Sequence, residues 1–300
     1  MQLVTMKNSL LLTIFSAILL SCSSANKSEQ KTEVNPNEEV VTEAIVEPVE
    51  SAAPEKVIEI KPIELTENPT IDQYDSAKLL LDHLEETPSP NCYSNSLANA
   101  FSKSFNEKIL GAIGKNSRRI KVKFLSIEQE SDSTYIVSGK TSVRDNLVDF
   151  RGYLKILECY KLKYQDFQQD GIEQSLYLGV YELFEDKDHE QSGTFSGLFS
   201  FQVYTENTNE LPFDKIKWSA DSYTNLAFNG NWSKYGSSNK SFCSWGISRI
   251  PGAPYDMDIG AGEFAVSDKY LEYGWADYMT FFTDQDPEAN KRENREWWKE

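Results

Sequence analysis

The stretch Ser192-Gly193-Thr194-Phe195-Ser196-Gly197-Leu198-Phe199-Ser200-Phe201-Gln202-Val203-Tyr204 decides the fold. Read with a period of two, Phe195, Phe199, Phe201 and Val203 share one side, and Thr194, Ser196, Ser200 and Gln202 share the other. Successive side chains alternate across a strand, so this is a strand with one dry and one wetter face, as in an antiparallel sheet. Gly197 lies in the dry face between two phenylalanines. The same spacing recurs at Phe150-Gly152-Leu154, Tyr177-Gly179-Tyr181 and Phe228-Gly230-Trp232. Glycine weakens a strand interior unless a neighbouring ring or backbone needs the room. Four repeats of the device predict a coiled antiparallel sheet in which aromatic rings cover glycines on adjacent strands.

Upstream, the period of two begins near Arg119. Val122, Phe124 and Ser126 alternate with Lys121 and Lys123, and Tyr135-Ile136-Val137 follows the turn signal Ser131-Asp132-Ser133. Arg118, Arg119, Lys121 and Lys123 form the densest basic cluster and read as a charged, solvated strand edge. Before the sheet the period is helical. Thr70 as a cap with Gln73 three residues on starts one helix, carried by Tyr74, Ala77, Leu81 and Leu84 and stopped by Pro88 and Pro90. A second helix starts near Ser96, with Leu97, Phe101, Phe105 and Ile109 on its apolar face and Gly114 as its stop. After Trp245 come loops, an aromatic-rich run from Val266 to Thr283, and a charged helix-prone end in which Trp297 and Trp298 tuck back onto the domain. The expected class is α+β: two N-terminal helices followed by a meandering antiparallel β-sheet, closed as a half-barrel or barrel.

A chain of 300 residues has room for one sizeable domain or two small ones. A net charge of −17 argues against a nucleic-acid partner, since phosphate affinity rests on clustered Lys and Arg. From Ser23 to about Asn68 aromatics are absent and eleven Glu stand against four Lys. Such a stretch buries too little apolar surface to offset the entropy of ordering, and reads as a self-repelling tether. Fully extended, it would reach on the order of 150 Å.

At the N-terminus, Met6-Lys7 precedes an apolar run from Leu10 to Leu20 that ends in Leu19-Leu20-Ser21-Cys22. The run is too short to cross a bilayer core. It resembles a bacterial lipoprotein signal, which implies that Cys22 becomes the lipidated first residue of the mature protein. Ser23 stands where an Asp holds many such proteins at the inner membrane, so the resemblance implies the outer membrane, facing the periplasm or the exterior. The organisation expected is a signal peptide over 1–21, lipidated Cys and acidic tether over 22–68, and one β-rich α+β domain over 69–300. The acidic, aromatic-rich, Asn- and Ser-laden strands resemble uncharacterised envelope lipoproteins of Bacteroidota-like bacteria. Export would allow a disulfide among Cys92, Cys159 and Cys243, and all three pairings stay open.

Catalytic signatures are sparse. The chain has no Gly-x-Ser-x-Gly elbow, no zinc-spaced Cys or His pairs, no phosphate loop and no dinucleotide fingerprint. Of two histidines, His83 falls in the first helical segment, and His189 lies in Glu185-Asp186-Lys187-Asp188-His189-Glu190, read as a solvated hairpin tip with a weak divalent-cation site as the sharper alternative. Asp256, Asp258 and Glu263 form a candidate Ca²⁺ set, against which stands a structural turn using Gly260 and Gly262. Trp218, Tyr223, Trp232, Tyr235 and Trp245 form a candidate aromatic platform for a glycan or protein partner, with core filling as the competing role. The expected function is non-enzymatic ligand or partner binding by a lipid-anchored envelope protein. A glycan- or peptide-cleaving hydrolase and a structural envelope component are the alternatives.

Overall fold

The computed structural model describes residues 57–74, 78, 81–90, 93, 96–163, 173–205, 225–260, 263–282 and 286–300. Cys22, the leader and the tether up to residue 56 lie outside them, as do Cys92, Trp218 and Tyr223. Residues 57–68 contain neither helix nor strand.

Nine strands form one antiparallel sheet: β1 Ile109–Ile113, β2 Arg118–Arg119, β3 Lys121–Gln129, β4 Thr134–Val143, β5 Asn146–Lys161, β6 Glu173–Glu185, β7 Gly193–Thr205, β8 Leu226–Lys234 and β9 Ser241–Ile247. Their spatial order is β2-β1-β9-β8-β7-β6-β5-β4-β3. The two outermost strands are thus consecutive in the chain, separated by Ile120 alone, whose N–H donates to Gly111 O at 3.0 Å. The sheet curls into a half-barrel whose two terminal strands are linked through Ile120.

The glycine triplets explain the curl. Gly197 of β7 lies directly opposite Gly230 of β8, and a Cβ on Gly197 would sit 2.5 Å from the Gly230 Cα. A Cβ on Gly179 would meet the Phe199 ring at 2.5 Å. Both approaches are closer than any side chain tolerates, so the strands coil tightly only because these positions are bare. The inward face is filled by Tyr181, Phe195, Phe199, Phe228 and Trp245, with Phe228 stacked on Trp245 at 5.4 Å and Phe195 edge-on to Trp245 at 5.5 Å.

Helix α1, Ala98–Ser104, closes one end of the barrel. Phe101 stacks on Phe201 at 4.3 Å, Phe105 stacks on Phe124 at 4.8 Å, and the Leu97 N–H donates to the Tyr135 hydroxyl at 3.1 Å. The helix is shorter than its apolar spacing predicts. Ile109 already belongs to β1, and Gly114 takes a left-handed φ of 75° in the β1–β2 turn instead of capping the helix. Leu97, Phe101, Phe105 and Ile109 still meet one core, because the chain turns inward at the helix end and continues as a strand. In the first helical segment, 3-10 turns occupy Ile71–Gln73 and Leu81–His83, with an extended Tyr74 after the first; 75–77 and 79–80 lie outside the described residues. Tyr74 and Leu84 pack on the outer face of β5 and β6 with Tyr160, Leu162, Leu176 and Leu178.

Ser126 faces outward, its hydroxyl 2.6 Å from that of Ser138, rather than continuing the inward set of Val122 and Phe124. A bulge between Phe124 and Ser126 inserts Leu125 and reverses the alternation. Cys159 is disulfide-bonded to a partner outside the described residues, and Cys243 is a free buried thiol.

The C-terminal segment covers the outside of β1. Met257, Phe264, Val266, Tyr270, Trp275 and Tyr278 pack against Leu110 and Ala112. Helix α2 is Ala276–Phe282 and helix α3 is Pro287–Asn294, the latter capped by Asp286, which accepts from the Glu288 N–H. The basic cluster is an anchor for this cover, not a solvated edge. Arg119 is buried and donates to both Glu293 carboxylate oxygens at 2.7 and 2.5 Å, while Lys123 Nζ donates to Phe105 O at 2.6 Å and lies over Trp298. A stripe of cations on one strand face suits burial when a later helix brings a carboxylate to it. Trp297 is buried, as expected of a chain end folded back on the domain.

Candidate functional site

The end of the barrel opposite α1 is a mouth. Its rim is built from the turns that join β1 to β2, β4 to β5, β6 to β7 and β8 to β9. Within it lies a cavity of about 490 Å³, whose wall includes Ile113, Val143, Phe195 and Trp232, with Thr141 and Glu185 at depth and Arg118 and Arg144 toward the rim. That volume falls in the range of small-ligand sites, which pair apolar walls with a few placed polar groups.

Glu185 ends β6 in the same inward row as Tyr181 and Leu183, and it is only 3% exposed. One carboxylate oxygen accepts from the Thr141 hydroxyl at 2.5 Å. The other accepts from the Gly193 N–H and the Trp232 indole N–H, both at 2.9 Å. Three donors from three strands hold the group in place. A carboxylate has about four acceptor positions, so capacity for one further donor remains on the oxygen that Thr141 serves. Burial pushes the Glu185 carboxyl above the usual carboxylate range, although the bonds from Thr141, Trp232 and Gly193 oppose that rise. Its backbone carbonyl accepts from the Tyr235 hydroxyl at 2.8 Å, which ties the β8–β9 turn to the β6 end.

Arg144 sits at the tip of the two-residue β4–β5 hairpin with φ of 58°. A two-residue hairpin takes a positive φ at its first central position, which costs a residue with a Cβ about 1–2 kcal/mol. Asn146 braces the same hairpin, its amide donating to Gln191 O at 3.2 Å. Arg118 is half-buried at the start of β2, with its guanidinium 5.5 Å from the Tyr273 ring.

Of the three described aromatics in the expected platform, the structure brings Trp232 and Tyr235 to the mouth. Trp245 is fully buried in the core, and Trp218 and Tyr223 lie outside the described residues. The Asp256, Asp258 and Glu263 set does not assemble as one Ca²⁺ cage. Asp256 is engaged by Lys269 Nζ and the Tyr270 hydroxyl, both at 2.7 Å. Asp258 is paired with Arg249 and also accepts from the Gly260 and Ala265 N–H groups. Among the described residues no group of three or more metal-ligating side chains converges. His189 lies exposed at the β6–β7 turn, where Asp186 accepts from the Asp188 N–H at 3.0 Å.

A broader groove runs outside the barrel along β3 to β5, beneath Val57 and Ile58, but Lys140 and Asp149 there pair with each other at 3.4 Å. Burial also pushes the Cys243 thiol far up, away from the thiolate a nucleophile needs. On sequence grounds Glu185 is only part of the 185–190 hairpin tip and its cation-site alternative, Phe195 is core and Arg118 is strand edge, while Thr141 and Arg144 carry no site signal. The legible signal was Glu185 itself, an acid in the inward register of a strand that otherwise buries Tyr181 and Leu183.

No protein-family profile, curated protein or solved structure matches this chain. Among the described residues no helix is long and apolar enough to cross a membrane.

Proposed function

We propose that the protein is a lipid-anchored envelope protein of the bacterial outer membrane that binds a small amphipathic ligand in the mouth of its barrel and does not turn it over. The observation that carries the binding reading is the contrast within one cavity. An apolar wall of Ile113, Val143, Phe195 and Trp232 surrounds a single buried carboxylate already fixed by three donors. A fixed acceptor at the end of an apolar cavity orients a ligand, and the other carboxylate lining the cavity, Asp145, is exposed at the hairpin tip rather than buried beside Glu185. Anchoring through Cys22 would tie the domain to the membrane by way of the acidic stretch that follows.

Two experiments test this reading. Full-length protein should bind the apolar fluorophore anilinonaphthalene sulfonate at one site, and Ile113→Trp, which fills the mouth, should abolish that fluorescence; equal signals would place the dye elsewhere and end the mouth reading. Metabolic labelling with a fatty acid should mark the protein, whereas Cys22→Ser should stay unlabelled. Label retained by that variant would overturn the anchor.

A further inference from the structure

The charges of the mouth are sorted by depth. Glu185, 3% exposed, is the inner charge, while Arg144 is exposed and Arg118 half-buried nearer the rim. Asp145, beside Arg144, is also exposed and lines the cavity, so among the outer residues that line the cavity two cations stand against one anion. That surplus is unusual in a chain whose net charge is −17. Ile113, Val143, Phe195 and Trp232 separate the two levels with apolar surface. Taking the mouth as a ligand site, we infer that its ligand is a zwitterion with apolar side chains, a short apolar peptide or amino acid. Its ammonium group donates to Glu185, and its carboxylate is held by Arg118 and Arg144.

Each half of the inference has its own physical reason. The Glu185 carboxylate carries three donors and has room for one more, so it accepts from an N–H and repels a carboxylate. Burial disfavours the charged form of Glu185, and an ammonium beside it would supply the opposite charge that restores ionisation. An apolar anion alone would satisfy the rim but leave Glu185 facing hydrocarbon, and an apolar amine alone would satisfy Glu185 but meet two guanidiniums on entry. Arginine is also the side chain best shaped for a carboxylate, through its fork of donors. The left-handed backbone at Arg144 then places one of these forks at a hairpin tip. Trp232 is held by its bond to Glu185, so the indole is preset as part of the wall rather than ordered on binding.

The test is calorimetric titration of full-length protein with four peptides: Leu-Phe, N-acetyl-Leu-Phe, Leu-Phe amide and the doubly capped form. Leu-Phe should bind at least tenfold more tightly than either singly capped peptide. Glu185→Gln should remove the advantage over the acetylated form, and Arg118→Met or Arg144→Met the advantage over the amide. Should Glu185→Gln fail to fold, the two rim variants keep the charge order testable. Equal binding of all four peptides, or no peptide binding while anilinonaphthalene sulfonate still enters the mouth, overturns this inference alone. Loss of both peptide and dye binding overturns the mouth reading with it.

Discussion

At the closed end of the barrel, strand aromatics meet aromatics from α1: Phe101 lies on Phe201 at 4.3 Å and Phe105 on Phe124 at 4.8 Å. At the mouth, Phe195 and Trp232 come from the same kind of apolar–x–Gly–x–apolar strand, yet among the described residues no helix covers them, and they border a cavity with Glu185. The strand pattern is shared, so it does not decide which end is core and which is pocket. The decision lies in seven residues of helix inserted at one end.

The largest expected effect tests that contrast directly. Phe101→Ala should cost about 3–5 kcal/mol, because a cavity among stacked rings cannot collapse. Phe195→Ala removes an equally buried ring, but its space opens into an existing cavity that water can fill, so the loss should stay nearer ~2 kcal/mol. Denaturant unfolding of both variants measures the difference, and equal losses would mean that the mouth is as tightly packed as the plug. Next in size is Glu185→Ala, which leaves the Gly193 N–H and the Trp232 indole N–H without their acceptor. An unsatisfied buried donor costs about 1–3 kcal/mol, and access of water through the mouth puts the expectation at the lower end.

The smallest effect is a dependence on pH of opposite sign at two sites. Because burial raises the Glu185 pKa, the folded protein keeps that proton to higher pH than the unfolded chain. Its contribution to stability therefore falls as pH rises from about 4.5 through the raised folded value. Glu293 behaves in reverse. Burial alone would raise it, but Arg119 and Lys108 together outweigh burial and lower it, so its stabilisation is present above about 4.5 and lost as pH falls through the folded value. Unfolding measured from about pH 2 to 7 should show Glu185→Gln losing the first trend and keeping the second, which lies below about 4.5. An unchanged profile in that variant would show that the mouth carboxyl titrates as it does in the unfolded chain.

Much of the barrel could be read from residue spacing, since Gly197 facing Gly230 and Gly179 lying under Phe199 are consequences of strand periodicity. The bulge at Leu125 was not legible, because one extra residue in a ladder leaves no mark on composition. Ile109 fits a helical repeat and a strand equally well, and the turn at the end of α1 decides between them. Arg119 looked solvated because its partner, Glu293, comes 174 residues later. For the site, aromatic content drew attention to Trp245, which the core absorbs, while the informative residue was a single acid in an apolar register. Long-range pairing, not local preference, separates the two.

The junction at Ile120 bears on how many copies of this protein can share a surface. The curl brings the two terminal strands of the sheet together in the chain at Ile120, and the end of α1 flanks β3 where Lys123 reaches Phe105. Open strand margins recruit neighbours and seed fibrils when chains are crowded. β3, which pairs with β4 alone, is one such margin, and α1 shields it at the Lys123 contact, so the room left there for a strand from a second copy is reduced.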